Sequence, residues 1–225
     1  MKSNFEKERE KIAGIHGRKA KAEYIWDYYK LWIIGILAAV IFTVFFIQRF
    51  FFAVTDNWIY IMFTNTYADV GSGSEFWQDY VDRMGFDLDE KNVVFNNSSY
   101  FDYSKNVTGN SYFESFTAYT EGRTLDAVTM EKDSLTALGR SGRLLDLDSE
   151  KCAGIKEKYG DRFLYSEPFD EEYGDGPVPV GIDISDSVLM TEYHIYTDTC
   201  ALGIGAYSEH VDEVEAFLDY IYGEV

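Results

Sequence analysis

Proline is scarce in this chain of 225 residues, which contains only 3 Pro beside 18 Gly. That composition argues against collagen-like, mucin-like and low-complexity structure. Hydrophobic residues make up 46 % of the chain and charged residues 26 %, which is typical of a globular protein. Aromatic residues reach 17 %, so large rings are available for a core.

The chain also lacks the motifs of common catalytic sites. The patterns G-x-S-x-G, S-x-x-K, H-E-x-x-H and the phosphate-binding loop are all missing. His194 and His210 have no partner motif near them in the sequence. A pair of carboxylates among the many acidic residues stays open as an alternative, because a sequence does not tell which acids converge. We expect no catalysis and no cofactor.

Basic residues are few and are concentrated at one end. Residues 1–30 contain eight basic and five acidic residues, whereas residues 31–225 contain 12 basic and 34 acidic ones. A surface as acidic as the second part repels the phosphates of nucleic acids. We therefore expect no nucleic-acid partner.

A long apolar run separates these two parts. Leu31–Ile47 carries no charge, and after Gln48 and Arg49 the run continues to Val54. Its 24 residues are long enough for a bilayer span of about 30 Å, with Arg49 near the outer interface. A buried core helix is disfavoured because the run has no polar face, and a cleavable signal peptide because no small-x-small site follows it. The sequence predicts an uncleaved membrane anchor.

The orientation of the anchor follows from its flanks. Eight Lys and Arg residues precede the span, and after Arg49 the next basic residue is Arg83. Basic flanks stay in the cytoplasm. We expect a cytoplasmic tail at 1–30, a transmembrane helix at 31–54 and an extracytoplasmic acidic domain at 55–225 in the cell membrane.

Apolar runs alternate with helical patterns in the acidic domain. This alternation predicts an α/β fold with a mainly parallel sheet flanked by helices. Strands are expected at Trp58–Phe63, Asn92–Phe95, Leu125–Met130, Pro177–Ile184, Ser187–Met190, Tyr193–Tyr196 and Ala201–Ile204.

Polar residues at the starts of the helical patterns suggest caps. Ser72 with Glu75 and Ser111 with Glu114 have the spacing of a capping box. Asp133 is expected to cap a short helix at Ser134–Leu138, and Ser208 the last helix of the chain. A further helix is expected at Ser149–Tyr159.

Several short motifs follow one another in a characteristic order. A strand with the pattern Asp126-Ala127-Val128 precedes a short helix, the glycine break at Gly142 and the leucine-rich Leu144–Leu147. Val178–Gly181 follows, and then Gly203–Ser208 leads into a helix. This order resembles the first lobe of extracellular solute-binding proteins of the type 2 periplasmic-binding fold. About 20 residues separate Pro179 from Ala201, which leaves no room for a second lobe, so the resemblance implies a single lobe tethered by a helix.

In open α/β sheets, ligands bind at the carboxyl ends of the strands. The residues at those ends are therefore the candidate ligand-binding residues: Thr64, Asn65, Tyr67, Ser72, Met130, Glu131 and Asp133. Cys152 and Cys200 are the only cysteines, and they either form a disulfide outside the cytoplasm or remain two buried thiols.

Together these features predict a membrane-anchored extracytoplasmic binding or interaction module. Its expected partners are the lipid bilayer, through the anchor helix, and either a small ligand or an envelope protein. The alternative is a structural or assembly subunit of an envelope or transporter complex, which would use the fold as a scaffold.

Overall fold

The computed structural model describes residues 4–51, 54–167 and 176–224. The side chains of 4, 5, 8 and 48–51 lie outside the described residues, and so does the predicted position of Arg49. The chain divides into two compact units, Met1–Ala53 and Val54–Val225.

The first unit is helical. Helix α1 spans Asn4–Gly14, and α2 spans Arg18–Phe51. Among the described residues, one helical stretch, Arg18–Ile47, is long and apolar enough to cross a membrane. None of its most apolar window is buried against other parts of the protein, as expected when lipid covers the helix. Residues 31–51 of the predicted anchor thus lie in one helix, α2, which begins well before them; residues 52 and 53 lie outside the described residues, and Val54 is not helical.

The second unit is an α/β domain built on one six-stranded sheet. In chain order the strands are β1 (Asn57–Phe63), β2 (Asn92–Asn96), β3 (Ala127–Met130), β4 (Phe163–Ser166), β5 (Val178–Asp183) and β6 (Ala201–Ile204). The helices are α3 (Glu75–Met84), α4 (Ser111–Glu121), α5 (Lys132–Gly139), α6 (Ala153–Tyr159), α7 (Val188–Thr191) and α8 (Val211–Ile221).

The sheet is mixed, with the strand order β2-β1-β3-β6-β5-β4. Strand β1 pairs in parallel with β2 and β3, whereas the β3–β6, β6–β5 and β5–β4 pairs are antiparallel. Four of the six strands thus point the same way, but only two of five pairings are parallel. The α/β class is confirmed, and the prediction of a mainly parallel sheet holds only for the β2-β1-β3 half.

Strand β1 is buried on both faces, which explains why its sequence is a continuous apolar run. Ile59, Ile61 and Phe63 enter one core with α3, α6 and α8. Tyr60 and Met62 enter the other core with α4 and α5. Helices therefore cover both faces of the sheet.

Two predicted strands are wrong. Ser187–Met190 does not form a strand but leads into the helical turn α7. The Ser187 hydroxyl donates a hydrogen bond to the nearby Ile184 carbonyl at 2.7 Å, which favours a turn over an extended strand. Tyr193–Tyr196 forms a turn in which His194 has a φ of 49°. Ile195 and Tyr196 are buried while His194 is exposed, so a loop produces the alternation that suggested a strand.

The helix starts differ from the predicted caps by one or two residues. Ser74, not Ser72, caps α3 by accepting from the Trp77 amide at 3.2 Å, and Asn110, not Ser111, caps α4. Asp133 lies inside α5, whose first residue is Lys132, and therefore does not cap it. Ser208 precedes the cap position of α8, which His210 occupies.

Candidate functional site

The carboxyl ends of β1 and β3 meet in the middle of the sheet. Chain connections leave these neighbouring strands toward opposite sides of the sheet, and ligands favour such switch points in α/β folds. The Thr64 amide donates to the Thr129 carbonyl at 2.9 Å. Thr64 and Met130, two of the predicted ligand-binding residues, therefore lie at adjacent strand ends, but both are buried.

Tyr196 occupies the space at this switch point. Its hydroxyl lies 3.1 Å from the Thr64 carbonyl oxygen, 2.8 Å from the Thr129 carbonyl oxygen and 2.9 Å from the Thr129 Oγ1. Burial raises the pKa of the Tyr196 phenol well above its usual value, so the group stays a neutral donor.

The segment from Ile184 to Cys200 carries Tyr196 to this position. The Thr66 hydroxyl donates to the Ile195 carbonyl at 2.5 Å, and the Ile184 amide donates to the Cys200 carbonyl at 2.9 Å. The protein's own chain thus covers the ends of β1 and β3. A ligand crevice of the kind that the strand-end rule predicts is filled at this point by Tyr196.

The other predicted residues lie on the surface around this covered centre. Asn65 has a φ of 62° and donates from its amide to the Phe101 carbonyl at 2.7 Å. Ser72 is exposed beside a shallow cavity that Trp77 and Val93 also line. Glu131 and Asp133 are exposed at the start of α5. The structure therefore does not bring these side chains together around one site.

Tyr67 belongs to an exposed group of aromatic rings, which we call the tyrosine surface: Tyr67, Tyr100 and Tyr112. The Tyr67 side chain is 91 % exposed and its ring centre lies 5.3 Å from that of Tyr100. The Tyr112 ring meets Tyr100 edge-on at 5.8 Å. These residues come from the loop after β1, the loop after β2 and the start of α4.

The central ring of the tyrosine surface is held in place. The Tyr100 hydroxyl donates to the Thr66 carbonyl at 2.9 Å, and the Asn110 side chain donates to the Tyr100 carbonyl at 3.3 Å. The rings are therefore presented by hydrogen-bonded loops. The sequence predicted Tyr67 but not Tyr100 or Tyr112, since long-range proximity of tyrosines leaves no local pattern.

A second polar cluster surrounds Asp126, at the other end of β3. Its side chain is 1 % exposed and accepts from the Tyr60 amide at 2.8 Å and from the Ser208 hydroxyl at 2.7 Å. His210 Nδ1 lies 3.2 Å from the same carboxylate. Ser208 and His210 both bond to Asp126, whereas a nucleophilic serine needs a base beside its own oxygen. The cluster thus connects β3, β1 and the start of α8 through the Asp126 carboxylate.

The two cysteines are buried and free. Burial raises the pKa of Cys152, and it raises the pKa of Cys200 well above the usual thiol value. Of the two sequence-based alternatives, the structure has the unbridged one. Buried protonated thiols are poor nucleophiles and poor metal ligands.

No family model, curated protein or solved structure matches this chain.

Proposed function

We propose that this chain is a membrane-anchored extracytoplasmic interaction module, similar to one lobe of a solute-binding protein, that binds an envelope protein without catalysis. The apolar helix Arg18–Ile47 supports the anchor. The basic tail and the acidic domain support an inside N-terminus and an outside C-terminal domain. The α/β domain with helices on both faces is compatible with such a lobe.

The observation that carries the proposal is the tyrosine surface. Tyrosine is enriched where proteins bind one another, because it buries a large ring while its hydroxyl stays hydrogen-bonded. Tyr67 is almost fully exposed and Tyr112 is 44 % exposed, so two rings stand free on either side of the anchored Tyr100. A partner that covers them gains apolar contact with little loss of side-chain entropy.

A protein partner is favoured over a small solute because Tyr196 fills the switch point. A solute at the ends of β1 and β3 has to displace this ring and the hydroxyl's contacts to the Thr64 and Thr129 carbonyls. The same observation favours the second candidate function, an assembly subunit that uses the fold only as a scaffold. The two candidates differ in whether the tyrosine surface makes the contact.

Site-specific photocrosslinking in native membranes tests the proposal. A photoreactive amino acid replaces Tyr67 in the full-length protein, and the matched control carries it at Asp161, an exposed residue near β4. We expect one adduct of defined mass from position 67 and none from position 161. Adding Tyr112→Ser should reduce that adduct at least fivefold, because the surface loses a ring.

Two results would contradict the interaction surface. One is an adduct that Tyr112→Ser leaves unchanged and that also forms at position 161, which would favour the scaffold. The other is calorimetric binding of a sugar, amino acid or peptide that persists unchanged in a Tyr67→Ser, Tyr112→Ser double variant.

A further inference from the structure

A polar cavity of about 300 Å³ lies at the amino ends of β1 and β2, at the sheet edge opposite the tyrosine surface. Its lining combines residues just before and at the start of β1 with residues that precede β2, β3 and α8. Six of them carry hydrogen-bond donors or ring nitrogens: Thr55, Asn57, Lys91, Arg123, Thr124 and His210. Because β1 pairs in parallel with β2 and β3, the segments that precede these three strands lie at the same end of the sheet.

Two basic side chains line this cavity in a domain that has few of them. Only 12 of the residues from 31 onward are basic, against 34 acidic ones, yet Lys91 and Arg123 both line this space. Asp56 is the one acidic residue among the described lining residues.

Lys91 is held at the cavity without an acidic partner among the described residues. Its ammonium lies 4.5 Å from the ring centre of Trp58, a cation–π contact that leaves its N–H donors available. Arg123 pairs with Glu209 at 2.6 Å, but both side chains are more than 60 % exposed. An exposed pair of this kind contributes little, so another anion can compete for Arg123.

The buried carboxylate of Asp126 fixes the position of the His210 ring at this cavity. Its Nδ1 lies 3.2 Å and 3.3 Å from the two carboxylate oxygens of buried Asp126, which also accept from Ser208 and Tyr60. A histidine fixed through one nitrogen by a buried carboxylate presents the rest of its ring in a defined orientation. The ring therefore lines the cavity in an orientation that Asp126 sets.

We propose that this cavity binds a phosphate group, either free or in the head group of an anionic lipid. Lys and Arg together bind phosphate oxygens through charge-assisted hydrogen bonds, and the Thr55, Thr124 and Asn57 side chains supply further donors. Thr55 follows α2 closely in the sequence. The lipid source rests on the membrane anchor of the proposed function, whereas the free-phosphate source does not.

Binding is measured on the full-length protein in nonionic micelles. One arm titrates inorganic phosphate by calorimetry. The other adds phosphatidylglycerol or phosphatidylcholine and counts the lipids retained in native mass spectrometry. We expect saturable binding in at least one arm, with phosphatidylglycerol retained in preference to phosphatidylcholine if the lipid is the ligand.

Three charge variants make the test specific. Lys91→Gln should weaken binding at least tenfold, whereas Glu209→Gln should strengthen it severalfold because it releases Arg123. Lys151→Gln removes an exposed charge away from the cavity and should change nothing. The opposite signs for Lys91→Gln and Glu209→Gln separate a binding site from a general effect of charge or folding.

The two arms distinguish free phosphate from a lipid head group as the ligand. Binding of phosphate alone identifies a free anion as the ligand, and retention of phosphatidylglycerol identifies the lipid. The proposal is overturned if neither arm shows saturable binding, or if Lys151→Gln weakens binding as much as Lys91→Gln. Either result leaves the tyrosine surface and its crosslinking test unaffected.

Discussion

Tyr196 and Asp126 are buried polar side chains that each tie distant segments of the domain together. Tyr196 bonds to groups 132 and 67 residues earlier in the chain, and Asp126 bonds to Ser208, 82 residues later. Buried polar groups of this kind specify one arrangement of segments, because any other arrangement leaves them unpaired. At the residue scale, Tyr196 closes the switch point, and Asp126 orients His210 at the polar cavity beside the amino ends of β1 and β2.

The buried thiols and phenol predict how stability changes with pH. Burial raises the pKa of Cys200 and of Tyr196 in the folded state above their unfolded values. Their contribution is therefore complete below about pH 8.5, and it is lost as the pH rises and the unfolded chain ionises. We expect the free energy of unfolding in urea to fall steadily between pH 9 and pH 10.5.

Cys200→Ala provides the matched comparison for this pH effect. The substitution removes one ionising group, so the fall should become less steep by about 1.4 kcal/mol per pH unit. A slope in Cys200→Ala that equals the wild-type slope would show that this thiol is not protected by burial.

Helix α5 packs closely on β4 and β5, and glycine makes this contact possible. A Cβ added at Gly139 would lie 2.6 Å from the Ser166 Cβ and 2.8 Å from the Val180 Cγ2, both closer than real contacts. On the other side of the contact, a Cβ at Gly181 would meet the Leu135 Cδ2. At the element scale, small residues therefore set the distance between this helix and the antiparallel half of the sheet.

Gly139→Ala should destabilise the protein by about 1–3 kcal/mol, because the helix has to move away from the sheet to admit the methyl group. Gly160→Ala is the control, since a Cβ there meets only the Lys156 Cγ at 3.8 Å. Urea unfolding of both variants measures the difference. Equal midpoints for the two would contradict the close packing.

Strand β4 and the turn around His194 illustrate why some elements escape sequence analysis. The strand Phe163–Ser166 lies at the sheet edge and two of its four residues are not buried, so it lacks the continuous apolar run of the equally short β3 and β6. The turn buries Ile195 and Tyr196 and exposes His194. The resulting mixture of apolar and polar residues resembles the sequence pattern of a strand. In contrast, β1 was predicted to within one residue because burial on both faces requires a continuous apolar run.

The candidate site was predicted only in part for a related reason. The strand-end rule pointed to Tyr67, which belongs to the tyrosine surface, but also to Thr64 and Met130, which are buried at the strand ends. It did not reveal that Tyr196 covers the end of β1, or that Tyr100 and Tyr112 lie beside Tyr67. Those relations join residues that local patterns do not connect.

For the whole molecule, the apolar helix and the uneven charge predict how the protein behaves in a cell. We expect the full-length protein to remain in the membrane pellet after alkaline carbonate extraction and to dissolve only with detergent. Protease added to intact cells or spheroplasts should digest the acidic domain.

The control for orientation is an epitope tag placed before Asn4. The tag should survive external protease and be lost only when the membrane is permeabilised, because the basic flank keeps it inside. Release by carbonate, or digestion of the tag in intact cells, would contradict the anchor or its orientation.

Composition and short-range pattern alone determined the apolar helix, the uneven charge, the α/β class and the central strands. Each of these features depends on whether neighbouring residues face water, lipid or the core. That exposure sets the local composition and periodicity of the sequence, which can be read directly. Only the tertiary structure decided that half of the sheet is antiparallel, that Tyr196 closes the switch point and that Lys91, Arg123 and His210 share a cavity. Such features depend on contacts between residues far apart in the chain, which no local pattern encodes.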